Sequence, residues 1–204
     1  MKLYYKPGAC SLASHIALTE AGADFAIEKV DTDAGRTASG ADFRAINPKG
    51  YVPALELSDG RVVTEGAAIL QFIADRHPAT GLAPAAGSFE RTRVQEHLNF
   101  VASELHKAFG PFFSGKTLEG EAREAAVAGV LKRMAHMDRV LSDGRAYLTG
   151  DTFTVADSYL FVVANWANFV GIDLAAVPHL QAFVARVAAR PATVTAMRAE
   201  GLMH

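Results

Sequence analysis

The spacing of hydrophobic residues in the first 77 positions changes several times and predicts a small sheet with helices. The run 3–5 is short and apolar, as is typical of a strand, and 25–30 is a second strand candidate in which Ala26 and Lys29 break the alternation. Between them, Ser11 to Ala21 carries Leu12 and Ile16 at helical spacing before Gly22 ends the helix. The polar stretch 31–40 predicts a loop.

A β-hairpin and a helix complete this half of the chain. Leu55 and Leu57 alternate with polar neighbours, and Val62 begins the return strand. Asp59-Gly60 offers the two positive-φ positions of a two-residue turn. A helix opens after Thr64 and must end before Pro78. The predicted order is a β-α-β half followed by a β-β-α half, which is a small α/β unit.

Two features of this unit suggest a peptide-like ligand. Pro53 precedes a strand, where a cis peptide bond is tolerated, and the backbone groups of Val52 could then pair with an extended peptide. The helix that opens at Glu65-Gly66 has N–H groups without internal partners, which favour a carboxylate. A peptide ending in a carboxylate fits both features.

The stretch 78–87 is rich in Pro, Gly and Ala and predicts a linker, after which the pattern becomes helical. One helix runs through Val94 and Leu105 to Phe109, and Pro111 ends it. Two further amphipathic segments lie at 127–141 and 180–187. Thr154 and Asp157 have the spacing of a capping box, which indicates a helix start. The second part is therefore predicted to be a helical bundle.

Composition narrows the function classes. The 204 residues are 50% hydrophobic and carry a net charge of −2, so neither nucleic acid nor an acidic membrane surface is an expected partner. No segment reaches the roughly 20 apolar residues of a membrane span. A single cysteine excludes an internal disulfide, and the first residues lack the apolar stretch of a signal peptide. We therefore expect a reducing, cytoplasmic setting.

Cys10 is the candidate reactive group of the first unit. It stands at the predicted start of the first helix, where the helix dipole and free N–H groups favour a thiolate. The alternative is a small buried hydrophobic residue, which is common for a lone cysteine. No second cysteine follows in a Cys-x-x-Cys pair, so a redox role would need a partner thiol.

A polar stripe lies on the long helix of the second part. Asn99, Ser103 and His106 would fall within about 60° of arc on a regular helix, away from Leu98 and Leu105. The stripe either lines a cleft or is an ordinary solvated face. The histidines form no spacing pattern typical of a metal site, so no metal is expected.

Several segments together resemble a bacterial beta-class glutathione transferase across the whole chain. They are the segments Tyr4 to Leu12, Asn47 to Leu55, Thr64 to Ile69, Glu104 to Lys107 and Phe153 to Asp157. The resemblance implies an α/β, thioredoxin-like, glutathione-binding domain at 1–77 and a linker at 78–87. An all-α helical domain at 88–204 would follow and carry the electrophile site. It also implies a homodimer with glutathione as cosubstrate.

The resemblance also implies roles for individual residues. Cys10 would face the glutathione sulfur and could form a mixed disulfide with it. Val52, ahead of cis-Pro53, would pair with the cysteinyl backbone, and Glu65 and Gly66 would hold the γ-glutamyl end. The remaining cleft residues would be Asn99, Ser103, His106 and Lys107, with His106 and Cys10 in one catalytic site. Relatives carry a lysine for the glycyl carboxylate where this chain has Asp33-Ala34-Gly35-Arg36, so Arg36 is the candidate substitute.

The expected function is conjugation of the glutathione thiol to small apolar electrophiles. One alternative uses Cys10 directly, in a glutathione-dependent thiol-disulfide reductase, peroxidase or reductive dehalogenase. A second alternative is a non-catalytic module that retains the fold as an interaction scaffold. The physiological electrophile is not specified by any motif in the chain.

Overall fold

The computed structural model describes residues 1–203 as two units. Met1–Ala83 and the chain from Ala189 onward form the first unit, and Pro84–Ala188 form the second. The predicted linker at 78–87 spans the change from the first unit to the second. The final helix belongs to the first unit, whereas the sequence pattern grouped everything from residue 88 on together.

The first unit contains a five-stranded mixed sheet. Its elements are β1 (Lys2–Tyr5), α1 (Ser11–Glu20), β2 (Ala26–Asp31), β3 (Arg36–Thr37), α2 (Phe43–Ile46), β4 (Ala54–Glu56), β5 (Val62–Thr64), α3 (Gly66–Arg76) and α9 (Pro191–Ala199). The strand order is β3-β2-β1-β4-β5. β1 and β2 are parallel, whereas β4 runs antiparallel to both β1 and β5. This is the α/β, thioredoxin-like arrangement expected from the sequence.

The core of the first unit lies around α1. Eight of the ten residues of this helix are buried, because α3 and α9 both pack against it. Leu3 of the sheet, Ile16 of α1 and Ile69 of α3 are each 0% exposed. Burying an aliphatic side chain of this size contributes about 1.5–3 kcal/mol. This packing holds the chain segments at the sheet edges in place.

The hairpin is present, but the prediction of a two-residue turn is wrong. The Leu57 carbonyl accepts from the Gly60 N–H at 3.0 Å, and the Leu57 N–H donates to the Arg61 carbonyl at 2.8 Å. Gly60 has a φ of 81°, whereas Asp59 has no positive φ. This is a three-residue loop with a single left-handed position. Asp59 stabilises it by accepting from the Arg61 N–H at 3.1 Å.

The predicted loop at 31–40 also contains structure. β3 pairs with the end of β2 within it, and α2 follows shortly afterwards. Asp42 caps α2 by accepting from the Arg44 N–H at 2.9 Å. Elements of two and four residues are too short to give a recognisable periodicity.

The second unit is helical, as predicted. Its helices are α4 (Phe89–Phe100), α5 (His106–Ala108), α6 (Gly120–Leu141), α7 (Val155–Val170) and α8 (Pro178–Ala188), with short 3₁₀ turns at Gly110–Phe113 and Leu174–Ala176. A further 3₁₀ turn, Pro78–Thr80, lies near the end of the first stretch of the first unit. A π-helical segment, Val101–Leu105, joins α4 to α5, so the prediction of one regular helix to Phe109 is wrong. Within the described residues, no helix is long and apolar enough to cross a membrane.

The capping box at the start of α7 is confirmed. The Asp157 Oδ2 accepts from both the backbone N–H and the hydroxyl of Thr154, each at 2.8 Å. Its Oδ1 accepts from the Leu148 N–H at 2.8 Å. Asp157 is 0% exposed, and burial raises its pKa to about 6. The carboxylate therefore joins the preceding loop to the helix as well as capping it.

Candidate functional site

Three segments of the first unit meet at one edge of the sheet. Tyr4 pairs with Ala54, and Ala54 pairs with Thr64 on its other side. Because β4 is antiparallel to both neighbours, the end of β1, the beginning of β4 and the end of β5 lie at the same edge. Cys10 follows β1, Val52-Pro53 come directly before β4, and Glu65 comes directly after β5.

Cys10 stands immediately before α1, with its backbone already in helical conformation. Its side chain is partly exposed, and its Sγ lies 3.5 Å from the carbonyl oxygen of Val52. The loop before it is fixed by Ser11, whose Oγ accepts from the Lys6 N–H at 3.2 Å. A partly exposed thiol at a helix start is accessible to a reagent, unlike a thiol enclosed in a core.

The segment before β4 presents backbone groups at this edge. The Val52–Pro53 peptide bond is cis, as the resemblance implied, and the Val52 side chain is buried at 6% exposure. Asn47 supports the turn by donating from its Nδ2 to the Tyr51 carbonyl at 2.6 Å. The contact between Val52 and Cys10 brings two of the predicted site residues together.

Glu65 has an unusual backbone conformation. Its φ of 71° makes it the one non-glycine residue in the described chain with a positive φ, and it is followed by Gly66, the first residue of α3. A positive φ outside glycine is strained by about 1–3 kcal/mol and is found most often at functional sites. The Glu65 carboxylate is 56% exposed at the beginning of a helix, where N–H groups favour anions.

Two residues not predicted from the sequence contact the Glu65 carboxylate. Lys49 Nζ lies 2.5 Å and Tyr51 Oη 2.7 Å from the same oxygen, Oε1. The hydrogen bond to Glu65 raises the pKa of Lys49 and also that of Tyr51. Lys49 and Tyr51 lie on either side of Gly50 in the Asn47–Pro53 segment. Only folding brings this segment next to Glu65.

A buried carboxylate from the end of the chain supports the Cys10 loop. Glu200 accepts from the Gly8 N–H at 3.0 Å through Oε2, and its Oε1 lies 2.9 Å from His15 Nδ1. The two side chains are 0% and 4% exposed. Because Gly8 and Glu200 are 192 positions apart, no local pattern could have indicated this contact.

The loop after β2 lies at the same edge, since β2 is parallel to β1. Arg36, the candidate for the missing lysine, donates from its guanidinium to the Gly40 carbonyl at 3.0 Å. Lys6 contributes a second cation here, with its Nζ 3.0 Å from the Thr32 hydroxyl and 4.0 Å from Asp33. Two cations therefore lie on or beside this loop.

In the second unit, His106 is a partly buried imidazole. Its Nδ1 lies 2.9 Å from the Tyr159 hydroxyl, and its ring packs edge-on against Trp166 at 4.8 Å between centroids. Burial, with a smaller contribution from the charge of Lys107, lowers its pKa to about 4. If the Tyr159 hydroxyl donates to Nδ1, the proton resides on Nε2, which is then a hydrogen-bond donor.

The other residues of the predicted stripe differ from His106 in exposure. Asn99, Ser103 and Lys107 are exposed, and the Ser103 hydroxyl donates to the Asn99 carbonyl at 2.8 Å. The π-helical segment alters the angular spacing between Ser103 and His106, so the arc predicted for a regular helix does not apply. His106 instead turns partly inward.

Aromatic side chains surround His106 and form a cluster in the second unit. Trp166 packs edge-on against Phe109 and Phe113, with centroid distances of 5.6 and 5.1 Å. Phe113 is 54% exposed, so the cluster reaches the surface of the unit. Among residues 1–203, no group of three histidine, cysteine or carboxylate side chains is arranged to hold a metal ion.

Comparison with known proteins gives consistent matches along the whole chain. Residues 8–76 match the family model described as glutathione S-transferase, N-terminal domain, and residues 100–191 match the corresponding C-terminal domain. The chain is 46% identical to glutathione S-transferase GstA of Escherichia coli O157:H7, over 99% of this chain and 100% of that protein.

Two solved structures are similar in fold. A sphingomonad glutathione S-transferase complexed with glutathione is 50% identical, with a TM-score of 0.93 and complete coverage of both chains. A bacterial beta-class glutathione S-transferase of Sphingomonas chungbukensis is 46% identical, with a TM-score of 0.94 and complete coverage of both chains. These similarities extend through both units.

Proposed function

The chain belongs to the glutathione S-transferase family, in its bacterial beta class, and from this premise we propose that it joins the thiol sulfur of glutathione to apolar electrophiles. The sulfur–carbon bond forms as the leaving group departs with the bonding electrons, and the thiol proton passes to solvent. The glutathione thiolate is the nucleophile, and the protein binds and orients it.

The observation that carries this proposal is the convergence of Cys10, Val52-Pro53 and Glu65 at one edge of the first sheet. The backbone of Val52 is assigned to the cysteinyl residue of glutathione, in the manner of an added strand. Glu65 is assigned to the γ-glutamyl ammonium, and the N–H groups that begin at Gly66 to the neighbouring carboxylate.

The other site residues predicted from the sequence are given roles as well. His106 is assigned a catalytic role as a neutral hydrogen-bond donor, since its low pKa excludes an imidazolium at neutral pH. Asn99, Ser103 and Lys107 are assigned to glutathione binding, and their exposed polar side chains support this assignment. For the glycyl carboxylate, Arg36 stays the candidate because it begins β3 opposite Asp31, the last residue of β2.

The electrophile site is assigned to the second unit. The aromatic cluster around Trp166 offers ring faces and edges to an apolar, planar electrophile. Phe113 supports this assignment because more than half of its side chain is exposed. Isosteric aliphatic electrophiles should then react more slowly than aromatic ones in conjugation assays.

Cys10 supports a second candidate activity, thiol-disulfide exchange. In this reaction the partly exposed Cys10 thiolate attacks a disulfide between glutathione and a second thiol, which leaves as the reduced thiolate while Cys10 keeps the glutathionyl group as a mixed disulfide. A second glutathione thiolate then cleaves the mixed disulfide, which releases glutathione disulfide and restores the Cys10 thiolate. Cys10→Ala separates the two activities. Retained conjugation with loss of reductase activity supports the transferase, whereas loss of conjugation assigns the chemistry to Cys10.

The proposed protein is a homodimer in the cytoplasm and needs no metal cofactor. The single cysteine is compatible with a reducing compartment. Analytical ultracentrifugation tests the dimer, and activity after chelation tests the metal. Titration calorimetry with glutathione tests the proposal as a whole, since a non-catalytic interaction module would give no binding heat.

A further inference from the structure

The Lys49 ammonium is held at the Glu65 carboxylate by three different groups. It lies 2.5 Å from Glu65 Oε1, 3.1 Å from the Thr64 hydroxyl and 5.9 Å from the centre of the Tyr51 ring. A carboxylate oxygen, a hydroxyl and an aromatic ring together form a binding site for a primary ammonium group.

The α-ammonium of a γ-glutamyl group is the same chemical species as the Lys49 side-chain head. Both are compact, strongly hydrated point charges with three N–H donors. Two such cations repel each other at a single carboxylate, so one must weaken the binding of the other.

We propose that Lys49 occupies the ammonium site of the ligand-free protein and is displaced by the α-ammonium of glutathione. This inference rests on the proposed function, because it takes Glu65 as the ammonium-binding residue. Lys49 thereby sets a selectivity: a ligand that brings an ammonium replaces the lysine, and a ligand without one leaves the Lys49–Glu65 pair intact. The Tyr51 hydroxyl, which carries no charge, continues to orient Glu65 in both states.

The expected gain in glutathione affinity follows from the solvent exposure of the Lys49 and Glu65 side chains. The Lys49 and Glu65 side chains are 45% and 56% exposed, so their pair is screened by solvent and weak. Removing the competing cation should therefore tighten glutathione binding by about two- to fivefold. Lys29, an exposed residue of β2, provides the control, since replacing it by methionine changes the net charge by the same amount as Lys49→Met does.

The test is titration calorimetry on Lys49→Met and Lys29→Met with two ligands. One ligand is glutathione, and the other is the analogue whose γ-glutamyl α-amino group is replaced by hydrogen. We expect Lys49→Met to bind glutathione about two- to fivefold more tightly and the analogue no more tightly than the unmodified protein does. Lys29→Met should show neither change, and Lys49→Arg should retain the original affinity.

Unchanged or weaker glutathione binding by Lys49→Met overturns the inference, as does an equal gain for both ligands. In a Glu65→Ala background, Lys49→Met should give no gain, because no carboxylate is left to compete for. If Glu65→Ala itself leaves glutathione affinity unchanged, the proposed ammonium site fails together with the inference. That outcome differs from failure of the inference alone, in which Glu65→Ala weakens binding and Lys49→Met does not improve it.

Discussion

At the scale of single residues, the charge state of His106 decides its role. Its pKa of about 4 means that it is neutral at the pH of most assays. The ring also fills space against Trp166, so truncation to alanine would remove both packing and a nitrogen donor. A substitution that keeps the ring separates the two contributions.

We therefore expect His106→Phe to lower turnover and to lower the free energy of unfolding by about 1–3 kcal/mol, the latter because the buried Tyr159 hydroxyl loses its bond to Nδ1. The phenyl ring retains the packing but has no nitrogen to donate a hydrogen bond. Steady-state conjugation kinetics and urea unfolding measure the two effects. His136→Phe is the control, since that exposed ring packs against Phe100 and should leave turnover unchanged. Equal turnover in both variants would assign His106 a purely structural role.

The same residue predicts a pH dependence of stability. Between its ordinary pKa of 6.5 and about 4, the unfolded chain binds a proton on His106 that the folded chain does not. Stability from this residue is therefore lost as pH falls through that range. His106→Phe should show a smaller loss of unfolding free energy between pH 7 and pH 5 than the unmodified protein. An identical loss would contradict the low pKa.

At the scale of elements, Asp157 joins the start of α7 to the preceding loop. A surface cap typically contributes about 0.5–2 kcal/mol, but this carboxylate is fully buried and accepts hydrogen bonds through both oxygens. Asp138 is a partly exposed counterpart, which caps α8 through Oδ1 by accepting from the N–H groups of His179 and Leu180. The two residues therefore allow the same substitution to be compared in two environments.

Asp157→Asn should lower the free energy of unfolding by about 1–3 kcal/mol, because an amide offers one acceptor oxygen and places a donor group against another N–H. Asp138→Asn should cost about 0.5 kcal/mol or less, since its amide oxygen can still accept at the helix start. Chemical denaturation of both variants measures the difference. Equal costs would mean that burial and the Leu148 contact add nothing to the cap.

The sequence predicted most of these elements but not their irregularities. The hairpin was predicted correctly from alternation, but its loop length was predicted wrongly, because Asp59-Gly60 is compatible with both two- and three-residue loops. The π-helical segment at Val101–Leu105 leaves no signature in apolar spacing. The contacts of Lys49 with Glu65 and of Glu200 with Gly8 arise only from folding, so residue spacing could not indicate them.

At the scale of the whole molecule, the end of the chain completes the first unit. α9 packs on α1, and Glu200 joins His15 and the loop before Cys10. Removing the shared acceptor of buried hydrogen bonds is destabilising, because the Gly8 N–H and the His15 ring are left without it. α9 and Glu200 thus contribute to the stability of the loop before Cys10.

Glu200→Ala should lower the free energy of unfolding by about 1–3 kcal/mol, the cost of leaving a buried polar group without its partner. Arg198→Ala, two positions earlier on the exposed side of the same segment, should change it by no more than about 0.5 kcal/mol. Thermal and urea unfolding of the two variants gives the comparison. A similar small effect for both would show that the Glu200 contacts do not hold the segment in place.

The central claim is that the sheet edge containing Cys10, Val52 and Glu65 binds glutathione, and calorimetry on Glu65→Ala tests it most directly. The unmodified protein should bind glutathione. Glu65→Ala should weaken binding by about 1.5–3 kcal/mol, which is the contribution of a hydrogen bond to a charged group. Its unfolding temperature should not change, because the replaced side chain is 56% exposed and alanine retains the same backbone restriction. Unchanged glutathione affinity in Glu65→Ala would contradict the claim.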